Sequence, residues 1–358
     1  MSAGAIALPA RPRILVIALR RLGDVLLSTP LIRSIRHAWP DAHIDALVFA
    51  DTAGILAGNP DLNDVLSMPS SPTTWQSVAL ARRLFRRYDL AVSTQTGDRP
   101  TTYAILAGRM RAAPVSSRLS GRIKRLFLHC PVPQQLSLHR VEEVLRIADA
   151  LGIECVPKVV PPSLADYSEV SGDYAVIHAA PFFDYKKWTI SGWRAIASTL
   201  ASRGLKVVVT GGESLPERSY LDKVWAGLPV LRRDGKLSWS ELSGLLATAR
   251  VYIGPDTSVT HLAAASGCPT IALYGPTDPR LWGPWPKGGL SEAWAAAASC
   301  QRRGNVWILQ HVYPCLPCQL EGCERHQGSE STCLRHLAAD QVCAIIDSIV
   351  AAGNVQLD

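Results

Sequence analysis

The sequence has no Asp-x-Asp pair, no Gly-x-Gly-x-x-Gly after its first apolar run, and no apolar stretch as long as a membrane span. Without paired carboxylates the usual seat for a divalent ion on a diphosphate is missing, so phosphate would have to be met by lysine and helix termini. Without the glycine fingerprint, an ordinary dinucleotide-binding unit is not expected. The opening MSAGAIALPA has neither a basic leader nor an apolar run of signal-peptide length, which implies a cytosolic protein. Acid is missing locally as well: between Arg99 and Val141 there are eight basic residues (Arg99, Arg109, Arg111, Arg118, Arg122, Lys124, Arg125, Arg140) and no Asp or Glu.

What is present is a globular composition, 47% hydrophobic and 19% charged over 358 residues. That length exceeds what one core usually holds, so two domains are expected. Pro157, Pro161, Pro162 and Ser163 form a stiff, polar connection that puts the boundary near 155–172, giving domains over 1–160 and 172–358. Residues 1–155 hold 19 Lys and Arg against 12 Asp and Glu, and the remainder hold 18 against 18, so the whole excess of +7 lies in the first half. A basic half attracts anions: nucleic acid, an acidic membrane face or a phosphorylated ligand, with a merely solvated basic face as the alternative.

The first half reads as alternating strand and helix. RILVIAL (13–19) is a continuous apolar run suited to a buried parallel strand, and VLLSTPLIRSIRHAWP (25–40) has helical spacing up to Pro40. HIDALVFAD (43–51) and Leu90 to Thr94 are further strands, and HRVEEVLRIADALGI (139–153) is an amphipathic helix. The pattern implies an α/β fold with a doubly wound parallel sheet and chemistry at the carboxyl ends of the strands. Asp24, in the RRLGD loop after the first strand, stands at that edge beside Gly23. It is a candidate general base, or alternatively the N-cap of the helix that follows.

A second series begins at DYAVIHA (173–179) and continues through LKVVVTGG (205–212) and PVLRR to VYIGPDTSVTHLAAASG (251–267). In this last stretch a short strand meets the Gly254-Pro255 turn, and the capping residues Asp256, Thr257 and Ser258 open a small-residue helix that stops at Gly267. Such a helix N-terminus suits a phosphate, received by the N–H groups of Thr257, Ser258 and Val259. Asp256 would then cap the helix or hold a sugar hydroxyl. Lys186, in HAAPFFDYKKW (178–188), can neutralise charge on a leaving group, and Glu213 after Gly211-Gly212 sits where such folds hold a ribose. Exposed Lys and Glu at turns are equally ordinary surface residues.

Nine cysteines in a reducing compartment should be thiols or metal ligands. Cys315, Cys318, Cys323 and Cys333 are spaced as C-x2-C-x4-C-x9-C, a set that could hold a structural zinc or iron, or could pack a loop as free thiols. A final helix is expected from about Ser331 to Ala352.

Taken together, LVIALRRLGDVLLSTPLIRSIR, KKWTISGWRAIASTL, IGPDTSVTHLAAASGCPTIALYGPTDP and the cysteine-bearing tail resemble the lipopolysaccharide core heptosyltransferases of glycosyltransferase family 9. The resemblance spans nearly the whole chain. It implies the GT-B architecture, two Rossmann-like doubly wound domains facing across a cleft, with acceptor on the N-terminal domain and ADP-sugar on the C-terminal one. It further implies inverting, metal-independent transfer of heptose from ADP-L-glycero-D-manno-heptose. The family's base in LGD falls on Asp24, its K-x-W lysine on Lys186, and its D-[ST]-x-x-x-H stretch on Asp256, Thr257 and His261. One departure is Ala179-Ala180-Pro181, where family members often end a small-residue run in Ser or Thr.

The partners so implied are an ADP-sugar donor and an anionic lipopolysaccharide core, met peripherally at the cytosolic face of the inner membrane, with no nucleic acid and no cofactor required for catalysis. A protein or small-metabolite acceptor is the alternative within enzymes. A non-catalytic anion-binding protein on the same fold, or a nucleotide-sugar epimerase, are alternatives of another kind.

Overall fold

In the computed structural model residues 6–165 and 170–354 are described, and the chain divides into two compact units, Met1–Ser163 and Leu164–Asp358. The first unit is built on β1 (Arg13–Ala18), β2 (His43–Phe49), β3 (Asp64–Met68), β4 (Tyr88–Ser93), β5 (Gly108–Val115) and β6 (Cys130–Pro133). They form one parallel sheet in the order β3-β2-β1-β4-β5-β6. Side chains of β1 alternate between two cores. Ile14 and Val16 join Leu31, Ile35, Val144 and Ile147 on one face, while Leu15 and Ile17 join Leu47, Leu84 and Tyr103 on the other. This is why the run is apolar throughout: each fully buried side chain contributes about 1.5–3 kcal/mol, and neither face of the strand meets water.

The helix expected over 25–40 is two helices, Leu22–Leu26 and Thr29–Ala38. Pro30 has no N–H to offer the Leu26 carbonyl, and the Thr29 hydroxyl donates to that carbonyl instead at 2.7 Å, while Ser28 donates to Val25 O at 2.7 Å. Starting at Leu22 also moves Asp24 from a loop into the first turn of a helix whose N-cap is Arg21, so the capping alternative for Asp24 does not hold.

The second unit repeats the plan with β7 (Tyr174–His178), β8 (Lys206–Thr210), β9 (Val230–Arg232), β10 (Val251–Pro255), β11 (Thr270–Leu273), β12 (Cys300–Arg303) and β13 (Val306–Leu309), in the order β12-β13-β11-β10-β7-β8-β9. Among the described strands only β12 runs antiparallel, as an edge strand against β13. The strand order reverses beside β1, flanked by β2 and β4, and beside β7, flanked by β8 and β10; ligands enter doubly wound sheets at such switch points. The final helix does not run unbroken from Ser331. It forms as Thr332–Arg335 and Ala339–Asn354, and in the gap the Leu337 carbonyl accepts the indole N–H of buried Trp188 at 3.0 Å.

Candidate active site

In the first unit, the loops after β1 and β4 bound the switch point. Asp24 lies there, with its Oδ1 3.4 Å from Arg20 Nε and 3.5 Å from Arg140 Nε. Neither approach is a hydrogen bond, and both Asp24 Oδ1 and Arg140 Nε are buried without a hydrogen-bond partner. Arg140 is held elsewhere: one terminal nitrogen donates to Glu143 Oε2 at 2.9 Å and the other to the Thr94 carbonyl, just beyond β4, at 3.0 Å. Sequence reading placed Arg140 in the basic surface stretch, whereas it is 4% exposed and faces Asp24. The carboxylate therefore sits in a positive field without being tied by short bonds.

The second switch point is closed by the turn after β7 and the helix after β10. Lys186 ends a 3-10 turn (Asp184–Lys186), and its Nζ meets Asp256 Oδ2 at 2.5 Å. The same oxygen accepts the Thr277 hydroxyl at 2.7 Å, and Tyr274 OH stands 3.5 Å from Oδ1. His261 Nε2 is 3.8 Å from Oδ1, too far for a hydrogen bond but close enough for a charge to be felt. Burial alone would raise the Asp256 pKa. The opposing Lys186 and His261 charges, with the hydrogen bonds from Lys186 and Thr277, outweigh it and hold the carboxyl below its ordinary range.

Asp256 does not cap the helix, since the cap of Ser258–Ser266 is Thr257, whose hydroxyl accepts from Thr260 N–H at 3.4 Å. Below it, the Thr260 hydroxyl donates to Pro255 O at 2.5 Å and meets Tyr252 OH at 2.9 Å. Tyr252 can lie across the strand because Gly254 has no side chain; a Cβ there would fall 2.1 Å from the tyrosine oxygen. With Thr260 N–H taken, the first-turn N–H groups of Thr257, Ser258 and Val259 are those left to point from the helix end. Gly267 closes the helix in the left-handed region at φ +91°.

The charged groups nearby divide between paired and exposed ones. Lys187 is occupied by Asp184 at 2.5 Å and lies over the Tyr220 ring at 4.6 Å, so of the lysine pair it is Lys186 that faces Asp256. Glu213 is exposed. The carboxylate drawn into the turn is that of Glu217, which accepts Gly212 N–H at 2.5 Å. His178, at the end of β7, is buried against Thr210 Oγ1 at 3.1 Å, and burial lowers its pKa to about 4. Sequence reading missed Tyr274 and Thr277 as partners of Asp256, although both stand in the ALYGPTDP turn that it quoted.

The cysteine loop packs beside this site. Asp184 N–H donates to Gln327 O at 3.1 Å, Ser331 Oγ to Tyr185 O at 2.7 Å, and Gln319 N–H to Pro276 O at 2.8 Å, so the loop braces both the Lys186 turn and the Thr277 turn. Burial above all, opposed by the Leu334 N–H, and then the nearby Cys318, Cys323 and Cys315 push the Cys333 thiol up to about 12. Without an ion, no three of the four sulfurs lie within 4.8 Å of one another.

The sequence pattern of glycosyltransferase family 9 (heptosyltransferase) matches residues 78–302, a span that includes Lys186 and Asp256. The chain belongs to glycosyltransferase family 9. This family member is a glycosyltransferase. It is 30% identical over 295 residues to lipopolysaccharide heptosyltransferase 3 of Escherichia coli, covering 76% of this chain and 86% of that one. Its fold is that of the E. coli heptosyltransferase WaaC solved with ADP (TM-score 0.71, 22% identity, 94% of this chain and 99% of that one). The iron-containing dodecameric glycosyltransferase TibC of enterotoxigenic E. coli is also similar (TM-score 0.59, 17% identity, 96% and 77% covered). The family member thus has two Rossmann-like domains of the GT-B class.

Proposed function

We propose that this family 9 enzyme transfers heptose from ADP-heptose to the lipopolysaccharide core, with inversion and without a divalent ion. The observation that carries the reading is the Lys186–Asp256 pair at the mouth of the Ser258–Ser266 helix. An ammonium has three N–H donors; one is spent on Asp256, which fixes its position, and two remain for a diphosphate. Lys186 and the N–H groups of Thr257, Ser258 and Val259 receive the charge that develops as the bond from the anomeric carbon to the phosphate oxygen breaks. Asp24 takes the proton from the acceptor hydroxyl as that oxygen attacks the anomeric carbon from the opposite side, and the inverted glycoside and ADP are the products. On this reading the first unit holds acceptor and the second holds donor. The lipopolysaccharide heptosyltransferase relatives support the sugar and the acceptor class.

A peripheral place on an anionic membrane at the cytosolic face fits the helix Leu119–Arg125 and the residues just after it. Leu119, Ile123, Leu126 and Phe127 are exposed there among Arg118, Arg122 and Arg125, a pairing of apolar and basic groups suited to an acidic lipid surface. Among the described residues no helix is long and apolar enough to cross a membrane. The thiol set of Cys315, Cys318, Cys323 and Cys333 is chemically suited to structural zinc or iron, as the iron in TibC invites. No step of the reaction runs through it. Metal analysis of the purified chain with and without Cys315→Ser decides that occupancy.

The test of the function is incubation with ADP-heptose, a panel of truncated core acceptors and chelator, with the product linkage and anomeric configuration determined. Heptosylated core of inverted configuration, formed in chelator, is expected. Turnover only of a protein or small-metabolite acceptor, or none without a divalent ion, overturns the reading.

A further inference from the structure

The amino end of the first sheet carries a cluster that the transfer reaction does not use. His43 and Asp45 are two apart on β2 and so share a face, and register pairs Asp45 with Asp64 on β3. His43 Nε2 lies 2.9 Å from Asp45 Oδ1 and 3.7 Å from Asp64 Oδ2, and the three ligand atoms fall within 4.8 Å of one another. Asp45 is 3% exposed, and its Oδ1 is buried without a hydrogen-bond partner although the imidazole nitrogen is so close. A buried carboxylate oxygen left in that state is costly unless something else satisfies it.

The other oxygen is fixed: Tyr88 OH donates to Asp45 Oδ2 at 2.7 Å, and Arg13 stands 3.9 Å away on the same side. The carboxylate is thus oriented by an outer partner with Oδ1 turned to His43 and Asp64, the arrangement that orients metal ligands. Ligands held at about 2.0–2.1 Å around a tetrahedral ion stand about 3.4 Å apart, and the observed separations from His43 straddle that value. One imidazole and two carboxylates are borderline-to-hard donors, matched to zinc or to another divalent first-row ion rather than to a thiophilic one.

We propose that His43 Nε2, Asp45 Oδ1 and Asp64 Oδ2 form a site for a divalent transition-metal ion, with water completing its coordination. The site is structural. β1 pairs Arg13 with His43 at this end of the sheet, whereas Asp24 follows the opposite end of β1, the length of a six-residue strand away. The ion would tie β2 to β3 and neutralise a buried carboxylate otherwise held by Tyr88 and Arg13.

The test titrates Zn2+ into the full-length chain, stripped with chelator and dialysed, by calorimetry, in the wild type and in Asp64→Asn and His43→Gln. Both variants change partly exposed side chains and leave buried Asp45 intact, so the fold is kept; the cysteines are common to all three proteins and cancel. The wild type is expected to bind one more ion than either variant at micromolar Zn2+. It should also rise in melting temperature with zinc by more than they do. Co2+ at this site should give ligand-field bands without the thiolate charge-transfer absorption of a cysteine site. Equal stoichiometry in the three chains, or a cobalt spectrum unchanged by Asp64→Asn, overturns the proposal.

Discussion

The two switch points each carry a carboxylate, and the two are held in opposite ways. Asp256 accepts short bonds from Lys186 and Thr277, with His261 and Tyr274 behind them. Asp24 is faced by two arginine Nε groups at 3.4 and 3.5 Å and bonds neither through the oxygen they share. A carboxylate with a full set of donors positions other groups. One whose oxygen is left short of donors can still accept a hydrogen bond from a ligand. On the proposed reading, that difference would let one sheet plan, used twice, serve the two halves of a transfer: proton removal at the first switch point and a fixed positive cradle at the second.

The comparison breaks most severely if Lys186 is removed. Lys186→Ala should lower kcat by about 10²–10³-fold, the usual effect of losing one donor aimed at developing charge. Steady-state kinetics check this, and a change confined to KM would remove Lys186 from the leaving-group step. Next, Asp256→Asn should destabilise the protein by about 3 kcal/mol, near the low end for breaking a buried pair, because Lys186 is left with little solvent and no counter-charge. Asp24→Asn should shift stability by no more than about 1 kcal/mol, since it loses no hydrogen bond through Oδ1. Urea midpoints of the two variants measure the contrast directly.

A pH series sharpens the same point. His178 is neutral in the folded protein, with its pKa lowered from 6.5 to about 4, so between those values the unfolded chain binds more protons and stability falls as pH falls. Asp256, also depressed, acts in the same direction at lower pH: its contribution is present above its unfolded pKa and is lost as pH drops through the folded one. The His178 share is about 3 kcal/mol, present above pH 6.5 and lost as the pH drops through about 4. His178→Gln should flatten the fall in stability between pH 7 and 4.5, as read by denaturant melts. Thr277→Val should cost about 1 kcal/mol for one hydrogen bond to Asp256, with kcat little changed.

Much of the framework is legible in the chain because buried parallel strands must be apolar on both faces. β1, β7 and β10 are continuous apolar runs for that reason, and the Gly254-Pro255 turn leading to a capped helix marks the second switch point by chemistry alone. β6 hides because it is an edge strand, where Cys130-Pro131-Val132-Pro133 can keep two prolines that a central strand could not. β5 hides because Arg109 and Arg111 at its start look like surface charge. The site is readable residue by residue but not pair by pair. Asp24, Lys186 and Asp256 stand out as types at strand ends, yet nothing local tells that Arg140 comes to Asp24, or that Thr277 comes to Asp256 across 21 positions. Those pairings are made by strand order, which brings distant loops to one edge. The surface reading of Glu213 and the inward turn of Glu217 differ for a similar reason: Glu217, one helical turn on, can reach the Gly212 N–H.

The central claim is that Asp24 moves the proton while the second switch point holds the diphosphate. Its most direct test is Asp24→Asn assayed with ADP-heptose and truncated lipopolysaccharide core, alongside calorimetric ADP binding. The account predicts that kcat falls by about 10²–10⁴-fold while ADP affinity stays within about threefold of the wild type. Wild-type turnover in that variant, or loss of ADP binding equal to the loss of rate, would contradict it.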